Sequence, residues 1–96
     1  MEPRLRGIIE KILDDMLMSE HLELMSKVYE SYKPLIKSKE DAMFGDIVGS
    51  LGERFASLML GVERRTLTKA ESKEFFDMID RRAQEIKSKI LIVTSR

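Results

Sequence analysis

Four carboxylates, Glu71, Glu74, Asp77 and Asp80, follow one another at three-residue steps. Carboxylates suit a hard divalent cation such as magnesium, and helical nucleotide hydrolases hold that ion with acids spaced by three. Each step of three, however, falls about 60° short of a full helical turn. The four acids therefore spread around a helix rather than converge on one ion. Arg81 and Arg82 beside them point to surface ion pairs instead. His21 is the only histidine, with Glu20 and Glu23 near it and no companion motif for catalysis or metal binding. It is read as a half-buried helix histidine. No catalytic, cofactor or metal-ligating residue is assigned.

A second chemical pattern is glycine. Gly45, Gly49 and Gly52, continued by Ala56, form a stripe of small residues at helical spacing. A phosphate-cradling loop requires a strand before the glycines and a lysine after them, and GDIVGSLG has neither. In a helix, each interior glycine costs about 0.8–1.0 kcal/mol relative to alanine, so three cost roughly 2–3 kcal/mol. Close approach of another backbone is the usual offset. That backbone is either another helix of the same chain or the same helix of a second copy at a two-fold axis.

A third pattern is basic. Arg64 and Arg65 precede the last predicted helix, where free N–H groups attract anions. With Lys69 and the N-terminal Arg4 and Arg6 they form the candidate nucleic-acid surface. Glu71 and Glu74, on the first turns of the would-be reading helix, repel a phosphate backbone. The 17 basic and 17 acidic residues leave no net charge, against the basic excess expected of a nucleic-acid binder.

These residues need elements to position them. Pro3 suits the first turn of a helix, and Leu5, Ile9, Ile12 and Met16 predict one over about 4–18, broadened by Ile8, Leu13 and Leu17. Ser19 admits a new helix, with Leu22, Met25, Tyr29 and Tyr32 on a fresh stripe. A single helix reaching Tyr32 fits equally. Pro34 ends either one, and Leu35 and Ile36 are expected to tuck in as a connector. Ser38 and Asp41 suggest an N-cap for a central helix that is apolar on most sides and ends at Gly61. Its expected core face is Phe44, Val48, Leu51, Phe55 and Leu58. Thr68 and Glu71 make a capping box for a last helix from Lys69 to about Ile90. Phe76, Ile79, Ala83, Ile86, Ile90 and Val93 alternate by three and four along it, an a/d seam. The β-branched tail after Lys89 is compatible with helix or extended chain.

The chain has 96 residues, room for one domain spanning 1–96. It lacks cysteine, which excludes disulfides and thiolate metal sites and fits an intracellular, cytoplasmic protein. The N-terminus turns acidic too early for a signal peptide, and no apolar run reaches the ~20 residues of a membrane span. Asparagine is absent and Gln84 is the only glutamine. That depletion, with high charge of both signs, suggests a thermophilic source, although the seven methionines cut against it.

The expectation is an all-α protein of three or four antiparallel helices in a small bundle. Functionally it reads as a non-catalytic protein–protein interaction or adaptor module with no cofactor. Its first expected partner is itself, with another protein possible and no membrane involved. The expected homodimer contact is Gly45, Gly49, Gly52 and Ala56 on the central helix, or Phe76, Ile79, Ala83, Ile86 and Ile90 on the last. Phe75, Met78, Leu91 and Ile92 lie outside that seam and add apolar surface that a monomer would struggle to hide. The alternatives are a dimeric nucleic-acid-associated regulator and, third, a metal-dependent helical nucleotide hydrolase.

Overall fold

A computed structural model describes residues 1–95. It contains four α-helices packed as a bundle: α1 (Pro3–Met16), α2 (Ser19–Ser31), α3 (Lys39–Glu63) and α4 (Lys69–Thr94). A single turn of 3₁₀ helix, Lys33–Leu35, links α2 to α3. There is no strand among the described residues, and no described helix is long and apolar enough to cross a membrane.

The N-terminal third is two helices. The break falls at Leu17 and Met18, where the backbone leaves helical angles and Met18 turns extended (ψ 141°). No glycine or proline causes it. The apolar stripe changes register there: Leu5, Ile9, Leu13, Met16 and Leu17 are buried before the break and Leu22 after it. Ser19 is the first residue of α2 rather than its cap, and Met18 in the cap position offers no side-chain acceptor.

Helix α3 is the centre of the molecule, packing against α1, α2 and α4. Ser38 caps it, its hydroxyl accepting from the Asp41 N–H at 3.1 Å. Met43, Ile47, Leu51, Phe55 and Met59 form its buried face. These four-residue steps advance about 40° each at 3.6 residues per turn, so the stripe winds slowly round α3 and meets different helices at different levels. The expected core face is corrected accordingly: Phe44, Val48 and Leu58 are only partly buried. The end of α3 also differs from expectation. Gly61 stays helical, and the left-handed position falls on Arg64 (φ 57°).

The Thr68–Glu71 capping box is complete at the start of α4. Helices α3 and α4 run antiparallel, with Phe55 stacked on Phe75 near one end and Lys87 over Phe44 near the other. The tail stays helical to Thr94 because Ile90 and Val93 are buried in the core. Leu35, expected to be tucked in, is 84% exposed.

Candidate self-association face

The seam of α4 divides in two. Ile79, Ile86 and Ile90 are buried in the chain's own core, Ile86 completely. They are therefore not available to a partner, and their place in the expected dimer contact is corrected. Phe76, at 65% exposure, and the half-buried Ala83 remain at the surface. Leu91, 57% exposed, continues their line.

The glycine stripe lies on the neighbouring part of α3. A Cβ built at Gly45 or Gly49 meets nothing within 4 Å, and one at Gly52 meets only the Phe75 ring at 3.7 Å. The intramolecular close approach that would explain these glycines is thus missing at two of the three. Ala56 is exposed as well.

Between the two helices run two shallow hollows. One, of about 520 Å³, lies among Phe44, Val48, Phe75, Phe76 and Ala83. The other, of about 480 Å³, is bordered by Asp41, Phe44, Gly45, Ile90 and Leu91. Both are predominantly apolar, and Lys87 borders both, its ammonium 5.4 Å from the centre of the Phe44 ring. Asp80 stands at the edge of the first hollow, exposed and without an ion-pair partner among the described residues. In the sequence, Asp80 and Lys87 fall at one margin of the three-four seam. The line Phe76, Asp80, Ala83, Lys87, Leu91 was discoverable as a half-exposed stripe one position over from the buried one.

The other chemical patterns are engaged differently. Glu71 is buried: its carboxylate takes a two-pronged bond from the Arg65 guanidinium (2.7 and 2.9 Å) and accepts from the Thr68 N–H. Arg65 and the Thr68 N–H hold its pKa down at about 2. Glu74 meets the Met1 ammonium at 2.7 Å, and Asp77 pairs with Lys73 at 3.0 Å. The four acids do not converge, and no metal-binding group of three ligating side chains exists among the described residues. His21 is exposed rather than half-buried.

The Met1–Glu74 contact sets the start of α1 beside the first turns of α4. Arg4, Arg6, Arg64, Arg65 and Lys69 therefore share one end of the bundle. Two of the five are spent within the chain, Arg65 on Glu71 and Arg6 on Glu10 at 3.8 Å. Glu2 and Glu63 add negative charge at the same end.

On the opposite flank of α4, Arg82 donates to Glu85 at 2.9 Å and to Asp14 of α1 at 2.5 Å. These acids raise its pKa above the ordinary arginine value, Glu85 most strongly, and Arg82 in turn holds Glu85 at about 2. Tyr29 of α2 donates to Asp46 of α3 at 2.9 Å; burial, then that bond, raises its pKa.

No protein-family model matches the chain, and no curated protein or solved structure does so at a significant level.

Proposed function

We propose that this protein is a non-catalytic helical interaction module that works first as a homodimer, joined through the face formed by α3 and α4. The observation that carries this reading is the open glycine stripe beside the two apolar hollows. Gly45 and Gly49 cost helix stability and have no close neighbour among the described residues to offset it. A partner backbone against the same face would supply that neighbour.

The area of the molecule supports the reading. A compact monomer of 11.1 kDa is expected to expose about 5,700 Å². This chain exposes 6432 Å². The excess, roughly 700 Å², is close to the ~800 Å² share of one partner in a standard interface. The shape agrees, with extents of 41 × 23 × 20 Å and a radius of gyration of 14.4 Å, against about 12.5 Å for a compact domain of this length.

The test is molar mass by light scattering or sedimentation at micromolar concentration. A dimer is the expected result. A clean monomer of 11.1 kDa across that range would overturn the proposal.

A further inference from the structure

The stripe Phe76, Asp80, Ala83, Lys87, Leu91 has an internal symmetry. Measured from the midpoint between Ala83 and Gln84, Asp80 and Lys87 lie three and a half residues to either side. Phe76 and Leu91 lie seven and a half residues to either side. At about 100° per residue the five side chains fall within an arc of about 80° on one helix. Read in reverse, the stripe is its own complement: apolar meets apolar, acid meets base, and a small residue marks the crossing.

Resting on the homodimer reading above, we propose that two copies pair through antiparallel α4 helices about a two-fold axis passing between Ala83 and Gln84. Asp80 of each copy then faces Lys87 of the other, and Phe76 of each faces Leu91 of the other. Such a contact is isologous, each patch meeting itself. Ala83 has the small side chain that lets two helix axes approach to the ~8 Å end of the normal range. The hollows on α3 fit the same arrangement. The ring of Phe76 from one copy comes over the hollow beside Gly45, where the missing Cβ leaves room. Leu91 of that copy comes over the hollow beside Val48 and Phe75.

Charge decides the direction. A parallel pairing about the same stripe would set Asp80 against Asp80 and Lys87 against Lys87. Antiparallel pairing satisfies both, and neither residue has an ion-pair partner inside the described chain to compete. Lys87 lies over the face of Phe44 and, among the described residues, makes no ion pair, so its ammonium can reach a carboxylate of the second copy.

The test uses charge reversal in the full chain. Asp80→Lys sets positive against positive across the axis, and Lys87→Asp sets negative against negative. Each variant alone is expected to weaken dimerisation at least tenfold, with an unchanged circular dichroism spectrum because both residues are exposed. An equimolar mixture of the two is expected to form a heterodimer. Because the chain has no cysteine, Ala83→Cys supplies a second readout. Under mild oxidation it is expected to give a covalent species of twice the chain mass, while Arg81→Cys, on the far side of α4, is not. If the unmodified chain dimerises but the reversals and their mixture leave the dimer unchanged, the antiparallel α4 contact is wrong and the homodimer stands. If the unmodified chain is monomeric, both readings fall.

Discussion

On one flank of α4, Arg82 is surrounded by Glu10, Asp14 and Glu85, and Lys89 adds a further contact to Glu85. On the other flank, Asp80 and Lys87 stand between exposed apolar groups and make no ion pair among the described residues, although Glu40 and Asp41 border the same hollow as Lys87. The two flanks draw on the same residue types and differ in whether the partner lies within the fold. Pairing across helices holds α1 to α4 on the first flank. The second flank has the same kind of side chains in a self-complementary order. Charge content alone therefore does not separate a structural face from an interaction face. What separates them is whether each polar group is already answered inside the chain.

The largest test of that difference sets two aspartates on α4 against each other. Ile86→Asp buries an unpaired charge in the core and should cost several kcal/mol, enough to abolish the helical circular dichroism signal in a domain of ordinary stability. Phe76→Asp falls on the open flank. It should keep the helical signal and shift monomer stability by no more than about 0.5 kcal/mol, while removing the dimer in sedimentation. Similar losses of fold from both variants would break the comparison.

A smaller effect probes the closed flank. Arg82→Ala removes the cation between Asp14 and Glu85, leaving Glu85 with Lys89, and should destabilise the fold by about 1 kcal/mol in urea unfolding. The dimer constant should not move. Were dissociation the main result, the closed flank would belong to the interface.

Glycine sharpens the contrast further. Gly7 on α1 and Gly49 on α3 both have open space where a Cβ would stand. Alanine at either should raise the unfolding free energy of the monomer, measured at low concentration, by up to about 1 kcal/mol. Only Gly49→Ala should change self-association, because only Gly49 lies on the proposed face. Equal behaviour at the two positions would remove the argument from the glycine stripe.

The smallest effect expected is in pH. Glu71 and Glu85 both sit at about 2 in the fold, against an ordinary carboxyl value of 4.5. A depressed carboxyl contributes stability that is present above its unfolded value and lost as pH falls toward its folded value. Thermal stability should therefore decline between about pH 4.5 and pH 2. Glu71→Gln and Glu85→Gln should each flatten that decline. A profile unchanged in both variants would show that these carboxylates do not carry it.

The helices themselves were legible because their signals are local. Thr68 and Glu71 form the capping box that their spacing announces, and Pro3 opens α1 as its fixed φ allows. What the sequence hid depends on neighbours. The straight alternation through Phe44, Val48 and Leu58 suggested a core face, but three helices contact α3 at different heights and draw the buried stripe round to Met43, Ile47 and Met59. The β-branched tail stays helical because burial of Ile90 and Val93 outweighs local preference. Gly61 has the right chemistry to end a helix, yet α3 runs two exposed residues further, through Val62 and Glu63, and leaves Arg64 in the left-handed position. For the site, the three-four seam on α4 was visible as a pattern. Its division was not, since Ile79, Ile86 and Ile90 differ from Phe76 and Ala83 only in which side of α4 the rest of the chain covers.

The lock at the α3–α4 turn has a consequence in time. Arg65, Thr68 and Glu71 bind one another within a span of seven residues, so closing that turn sacrifices little chain freedom. Contacts of such short separation form early in folding. The α3–α4 hairpin is therefore expected to exist before α1 and α2 settle on it, and the hairpin already carries both hollows and the whole antiparallel stripe. Folding and assembly would then overlap, and refolding of the dilute chain should quicken as its concentration is raised.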